Sequence, residues 1–371
     1  MTQVSRTNSA PIVSQWAFNH FVTAVAVNHS GESPQIAFAL GNGTVRLLRL
    51  TELESRVARE VNLMTGEKAQ NNQGAILSLV PYRDGFLAGG DDGHLSRIDA
   101  EGQMTRLAHH PRGWIESLAI SRADDIGYGF GKSVGVMMAG QSQPLILPPL
   151  PSTVAALLWL GSRLAVAHFG GVTIFDLAQR GVDGLPKSRP LKWPGSHIHL
   201  SQSPDGNYLA SALRDGEIHV WRLSDLTDMR MAGYPGKVAT IAWGHDGLHL
   251  AGSGIPELLG WGFAGDGPEG KEPELLWPGA GSQRIVQLAS AKNSFGWAMG
   301  LEDGQLCLLL NPAPAAKALV YSLSKRAAVS ALVWSDRLES MNKSIIAAGC
   351  EDGKAIVIIL NKLYQLNSLS K

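Results

Sequence analysis

Few residues of this sequence have the types and the spacing that chemistry requires. His197 and His199 stand two residues apart in a strand-like run, so both imidazole rings would point to one side and could bind a transition metal. Such a site needs further ligands, and no pattern places His219, His245 or a carboxylate beside the pair. We therefore predict no metal and no other cofactor.

Other signatures of catalysis are missing from the sequence as well. The run GFGKS at 129–133 lacks the spacing of a phosphate-binding loop, and no serine nucleophile or cysteine–histidine arrangement stands out. Cys307 and Cys350 lie in apolar runs, which favours buried free thiols over a disulfide. The sequence thus predicts a protein that is not an enzyme. The alternative is a metal-dependent hydrolase or lyase with scattered site residues, or a metal-linked sensor or assembly factor.

Charge and hydropathy limit the classes of partner. The 32 basic and 32 acidic residues give a net charge of zero, which argues against binding to nucleic acid or to a charged membrane surface. No apolar run reaches the roughly 18–20 residues that span a bilayer, and the N-terminus lacks the apolar core of a secretory signal. We expect a cytoplasmic protein that is a monomer or a subunit of a hetero-complex.

An internal repeat organises residues 1–371, which we interpret as a single domain. Each repeat unit has apolar strand-like runs separated by polar turns, and a glycine that accepts positive φ sits in the central turn of most units. One unit cannot bury both of its faces, so neighbouring units should stack radially. The clearest parts of the eight units are 36–50, 86–100, 126–140, 163–177, 208–223, 249–263, 295–310 and 344–360, and the turn glycines are Gly43, Gly93, Gly216, Gly304 and Gly353.

One unit carries a more specific pattern. Residues 201–223 begin with a Ser-Pro-Asp-Gly turn, and the run resembles a WD40 repeat from that turn through its third strand. Ser211, Asp215 and Trp221 fall at the spacings of three of the four residues that form the family's internal hydrogen-bond set. The fourth member, a histidine, would fall near position 193, where this sequence has Trp193.

The resemblance implies an all-β fold, a single closed propeller of four-stranded antiparallel blades. Eight units predict eight blades, and seven is the alternative, with 114–140 as the weakest unit. In the family each blade takes its outermost strand from the next repeat. Residues 11–18 should therefore supply the outer strand of the last blade and close the ring. Residues 361–371 would form a C-terminal tail.

The resemblance also implies a scaffold that binds a protein or peptide on the upper face and at the mouth of the channel. Aromatic–Pro–Gly segments recur just before predicted inner strands, and in the family these turns face the partner. The aromatic rings could therefore anchor a partner, or they could pack between blades in place of the missing histidine. These aromatic positions are Trp193, Tyr234 and Trp277, with a looser version of the segment at Arg112 and Trp114.

Charged pairs in the turns between second and third strands lie on the same predicted face. They could form a mostly acidic rim that favours a basic segment of a partner, or they could be solvated hairpin tips. The pairs are Asp91-Asp92, Arg214-Asp215, Glu302-Asp303 and Glu351-Asp352, and we count Arg214, Glu302 and Glu351 among the candidate partner-binding residues.

Overall fold

The computed structural model describes residues 10–361 except 31–32, 54, 56, 65–73, 183, 266, 293–295, 311–315 and 339–342. Within these residues the chain forms thirty β-strands and one 3₁₀ turn at Leu50–Glu52. Neighbouring strands pair antiparallel, as the first four strands after residue 20 show. The prediction of an all-β antiparallel fold is confirmed.

The strands follow one another in short meanders. The chain begins with β1 (Ile12–Ala17), and the first sheet comprises β2 (Val22–Asn28), β3 (Gln35–Leu40), β4 (Thr44–Arg49) and β5 (Arg59–Asn62). The second sheet comprises β6 (Ile76–Tyr82), β7 (Gly85–Gly90), β8 (His94–Ile98) and β9 (Met104–His109). The third sheet comprises β10 (Ile115–Ile120), β11 (Ile126–Phe130), β12 (Ser133–Met137) and β13 (Leu145–Ile146). A six-stranded sheet follows, with β14 (Ala156–Leu160), β15 (Arg163–Arg180), β16 (Pro186–Gln202), β17 (Tyr208–Leu213), β18 (Ile218–Arg222) and β19 (Asp228–Met231). The remaining sheets comprise β20 (Ile241–Trp243), β21 (His249–Gly252), β22 (Leu258–Gly262) and β23 (Glu274–Trp277); then β24 (Ile285–Ser290), β25 (Trp297–Leu301), β26 (Gln305–Leu309) and β27 (Leu319–Ser322); and last β28 (Val329–Leu338), β29 (Lys343–Cys350) and β30 (Lys354–Asn361) with β1.

The described strands form seven hydrogen-bonded sheets, so they do not support the prediction of eight blades, and their number agrees with the alternative of seven. The fourth and fifth sequence units share the six-stranded sheet, although the chain turns inside β15 and β16 at the glycines at 170–171 and 195, which have positive φ. His168 Nε2 lies 2.9 Å from Thr173 Oγ1 across the first of these turns. Phe169 pairs with Ser196 and thereby joins the two units. Each long strand changes partner along its length, since β16 pairs first with β15 and then, from His197 onward, with β17.

The N-terminal strand lies where the sequence predicts it. β1 pairs with β30 from Ile12 opposite Ile359 to Ala17 opposite Lys354, and it is the outermost strand of the last sheet. On the inner side, β28 of the last sheet contacts β2 of the first. The tail after Asn361 lies outside the described residues.

The core consists of apolar clusters between neighbouring sheets. Every residue of the second strand β3 is buried, because both faces of a middle strand pack against neighbouring layers. The cluster between the first and last sheets joins Phe38 of β3 to Ile345 and Val357 of the last sheet. Another cluster lies within the six-stranded sheet and joins Val172 to Trp221. Radial stacking of repeat units thus buries the faces that a single unit leaves open.

Candidate partner-binding face

The hairpin turns and the loops that lead into the inner strands meet on one side of the sheets, which we call the upper face. In most of the described sheets the backbone N–H after the second strand donates to a carbonyl near the start of the inner strand of the same sheet. Gly41 N–H lies 2.8 Å from Phe21 O, Glu302 N–H 3.1 Å from Arg284 O, and Glu351 N–H 3.1 Å from Ala328 O. This repeated bond places each turn beside its lead-in loop, so both sets of predicted site residues share one face.

One bond of the hydrogen-bond set in the clearest repeat joins Ser211 to a histidine that the spacing does not predict. His197 is fully buried, and its Nδ1 lies 2.8 Å from Ser211 Oγ. Its ring centre lies 5.8 Å from that of Trp221, and Asp215 Oδ2 accepts from Ser196 N–H at 3.3 Å. The prediction that the set lacks its histidine is therefore wrong. The histidine stands at 197 because the Pro-Gly turn before it adds residues that simple spacing does not count.

Trp193 has a different role from the one its position predicts. Its half-buried ring stacks on His219 at 3.9 Å between centres and 19° between planes, and its carbonyl oxygen lies 3.1 Å from His197 Nε2. His219 is fully buried and its Nε2 lies 3.2 Å from Asp228 Oδ2. Burial lowers the pKa of His219 to about 4, more than the nearby Asp228 carboxylate raises it. Trp193 thus covers a buried polar cluster.

Tyr234 and Trp277 cannot serve as exposed anchors, which corrects their prediction as partner-binding residues. Their side chains are only 9% and 4% exposed, and each belongs to an apolar cluster between sheets. Tyr234 Oη accepts a hydrogen bond from Trp261 Nε1 at 3.3 Å, and burial raises the pKa of Tyr234 to about 12. The alternative, packing between blades, describes both residues.

The exposed aromatic side chains of this face lie on other loops. Trp114 is 59% exposed, and Phe169, which the sequence did not single out, is 64% exposed. Phe169 N–H donates to Ser152 Oγ at 2.8 Å, which holds it beside the loop that leads into β14. A cavity of about 200 Å³ opens between this loop and Trp114. Its lining includes Arg112, Gly113, Trp114, Glu116, Thr153 and Val154.

The charged turns are largely occupied by internal bonds. Glu302 Oε2 accepts from Arg284 Nε at 2.9 Å, and this hydrogen bond lowers the pKa of Glu302. Asp92 Oδ2 lies 2.9 Å from His94 Nδ1, and Asp352 Oδ2 accepts from Ser324 Oγ at 2.8 Å. Arg112, Arg214 and Glu351 remain exposed. Most of the predicted acidic rim is therefore satisfied within the protein.

A second cavity of about 380 Å³ lies on the upper face where the inner strands converge. Its lining comes from the first sheet and from the last three sheets of the chain, so the two ends of the propeller sequence meet at this cavity. The charged and aromatic members are Phe21, Lys237, Arg284 and Glu351.

Comparison with known proteins agrees with this geometry. Residues 191–222 match the family model described as WD domain, G-beta repeat, and they contain His197, Ser211 and Trp221. The C-terminal WD40 domain of Sif2 superposes with a TM-score of 0.70 over 94% of this chain and 98% of that chain, at 14% sequence identity. This chain has the fold of a WD40 propeller. No curated protein sequence matches the propeller.

Two further features of the propeller concern the metal and membrane predictions. A β-bulge separates His197 from His199, so the two rings do not share the regular alternation that a joint metal site would use. In the part of the chain that the structure describes, no group of three or more His, Cys, Asp or Glu side chains could hold a metal ion. The same residues contain no helix that is long and apolar enough to cross a membrane.

The two cysteines of the propeller are buried free thiols in β26 and β29. Burial raises the pKa of Cys307 and of Cys350 to about 12. Each thiol therefore stays protonated near neutral pH and packs as a small apolar side chain.

Proposed function

We propose that this WD40 propeller is a non-enzymatic platform that binds another protein or peptide on its upper face, around Trp114 and Phe169. The observation that supports this proposal is the exposure of these two large aromatic side chains, 59% and 64%. Trp114 lines the cavity, and Phe169 bonds to Ser152, the neighbour of the lining residue Thr153. Aromatic and arginine side chains dominate the binding energy of protein interfaces. Arg112 lines the same cavity and completes such a combination.

The other candidate residues lie on other loops of the same face. Arg214 is exposed, Trp193 is half-buried in the next lead-in loop, and Glu351 is exposed at the axial cavity. Glu302 takes part only if a partner displaces Arg284. We assign these residues to the rim of the interface, where contacts contribute less than at the centre.

The class of partner follows from the balance of charge. With 32 basic and 32 acidic residues the propeller has no net field to attract nucleic acid or an anionic membrane, so a protein partner is favoured. We further propose that the propeller acts in the cytoplasm, as a monomer or as a subunit of a hetero-complex.

We also propose that the six-stranded sheet forms two blades, so that the propeller has eight blades. β14 contacts β10 on one side and β16 on the other, and β16 contacts β20, so the six-stranded sheet contributes two successive inner strands. Its own halves pack face to face through Val172 and Trp221, as neighbouring sheets do elsewhere. An experimental structure viewed down the axis should show eight radial layers, and seven evenly spaced layers would contradict this proposal.

The platform can be tested by capture of partners from cytoplasm of the native cell. The wild type, a Trp114→Ala/Phe169→Ala double variant and a Leu248→Ala control would be compared. Leu248 is 45% exposed in the turn after β20, on the opposite face. We expect proteins that the wild type and the control retain and the double variant loses. Identical capture by all three proteins would place the binding surface elsewhere.

A further inference from the structure

The exposed aromatic side chains lie among unpaired cations. Arg112, Lys132, Lys192 and Arg214 are all exposed on upper-face loops of the third and six-stranded sheets, and we call this group the basic sector. Arg112 lines the cavity beside Trp114, and Lys132 follows Gly131, which lines it too. Lys192 is next to Trp193, and its register partner Gly171 is two residues from Phe169.

Two cations elsewhere on this face have carboxylate partners. Arg284 pairs with Glu302 at 2.9 Å, and Lys354 pairs with Asp352 at 3.4 Å. Among the described residues neither Arg112 nor Arg214 forms a salt bridge, and Lys132 Nζ donates only to the carbonyl oxygen of Pro151. The basic sector therefore has charge that the protein itself does not neutralise.

Carboxylates are scarce on the same loops. Asp215 Oδ2 is occupied by the Ser196 N–H, and Glu116 lies in the cavity at the start of inner strand β10. Glu217, in the same turn as Arg214, is paired with Arg230. With that ion pair set aside, four cations against two carboxylates give the sector an excess of positive charge in a protein whose net charge is zero. A patch of one sign steers a partner of the opposite sign and fixes its register.

We propose that the basic sector binds an acidic segment of a partner protein, with one apolar side chain of that segment in the cavity beside Trp114. This inference rests on the platform function and specifies its partner. Carboxylates of the segment pair with Arg112, Arg214 and Lys192, while Trp114 and Phe169 cover the apolar side chain. This acidic partner segment replaces the basic partner segment that the sequence predicted from the charged turns, because hydrogen bonds within the protein already occupy most carboxylates of those turns.

A pair of designed peptides tests the sign of the charge directly. Fluorescein-labelled Glu-Glu-Leu-Glu-Leu-Glu-Glu and its counterpart with every glutamate replaced by lysine would be titrated with the full chain by fluorescence anisotropy. We expect the acidic peptide to bind at least about tenfold more tightly than the basic one, and its affinity to fall as salt screens the charges. A single-stranded oligonucleotide, which is negatively charged like the acidic peptide, serves as a third ligand and tests whether the sector prefers nucleic acid.

Matched variants locate the binding on the surface. Arg112→Glu/Arg214→Glu should weaken the acidic peptide by roughly tenfold or more, while Lys325→Glu/Arg326→Glu, an equal change of charge on another upper-face loop, should leave it unchanged. Trp114→Ala should weaken it as well. The four substituted side chains, those of Arg112, Arg214, Lys325 and Arg326, are all exposed, so we expect the variants to fold. Circular dichroism checks this.

Several results would overturn the inference. They are tighter binding of the basic peptide, tighter binding of the oligonucleotide than of either peptide, and equal loss in both charge-reversed variants. Absence of binding by either peptide would also overturn it. In each case a Trp114-dependent capture of native partners would still support the platform, so the two proposals fail separately.

Discussion

At the scale of single residues, the buried histidines define the polar centre of the clearest repeat. His197 bonds Ser211 through Nδ1 and the Trp193 carbonyl through Nε2, so both ring nitrogens have partners. His219 lies between two indole rings, stacked on Trp193 and edge-on to Trp221. These contacts need neutral imidazoles, since burial penalises the charged form.

Ser211→Ala should destabilise the propeller by about 1–3 kcal/mol, because it leaves Nδ1 of the buried His197 without a partner. Chemical denaturation followed by tryptophan fluorescence measures the change. Ser188→Ala is the matched control, because Ser188 is exposed on β16. Equal stability of the two variants would show that the His197–Ser211 bond does not stabilise the fold.

Stability should fall on mild acidification because of His219. Its pKa is about 4 in the folded protein against an ordinary 6.5, so between these values the unfolded chain binds a proton that the folded chain excludes. The contribution of His219 to stability is therefore constant well above pH 6.5 and declines as pH falls toward 4, by about 1.4 kcal/mol per unit of pKa difference at most. His199, whose pKa burial also lowers to about 4, adds to the decline.

The pH effect is measured by thermal unfolding across this range. His219→Gln removes one titrating group and should flatten the curve. A His219→Gln curve parallel to the wild type would assign the acid sensitivity to other groups.

At the scale of elements, the tight turns depend on backbone conformation and on how closely they approach the next loop. Gly216 has a φ of 84°, and a Cβ there would lie 2.5 Å from Tyr234 O. Gly140 has a similar φ of 79° with nothing within 4 Å of its Cβ position. A side chain at Gly140 would therefore meet only backbone strain, whereas a side chain at Gly216 would also collide with the neighbouring loop.

Gly140→Ala should cost only the strain of a left-handed residue, about 1 kcal/mol, while Gly216→Ala should cost clearly more because the turn must move away from the lead-in loop. Equilibrium unfolding of both variants measures the difference. Equal losses would mean that the loop at Tyr234 yields without cost.

At the scale of the whole molecule, the first and last sheets are joined by two contacts. β1 completes the ladder of the last sheet, and Phe18, Phe38 and Val357 share one apolar cluster with residues of both sheets. Without β1 the apolar strand β30 would become an unpaired edge, which invites pairing with other chains.

Removal of residues 1–17 should lower the melting temperature by roughly 5–10 °C or more and promote self-association. Thermal unfolding and light scattering measure both effects. Val13→Ala, which shortens an exposed side chain of β1 and keeps its backbone, is the control. A truncated chain that stays monomeric and equally stable would show that β1 does not hold the ring together.

The sequence by itself determined the strand pattern, the antiparallel pairing and the place of the N-terminal strand, because these depend on local alternation, turn glycines and repeat order. It also singled out Ser211, whose hydroxyl contacts the buried His197. Only the tertiary structure decided which aromatic side chains are exposed, since the burial of Tyr234 and Trp277 depends on loops that fold inward against neighbouring sheets.

The same reason explains the other differences. His197 takes its place through the register of β16 against β17, and the pairing of Phe169 with Ser196 merges two units that the turn signals separate. The charge of the upper face depends on which carboxylates find partners across loops, as Glu302 does with Arg284. Contacts between segments distant in sequence decided these features, and no local pattern records such contacts.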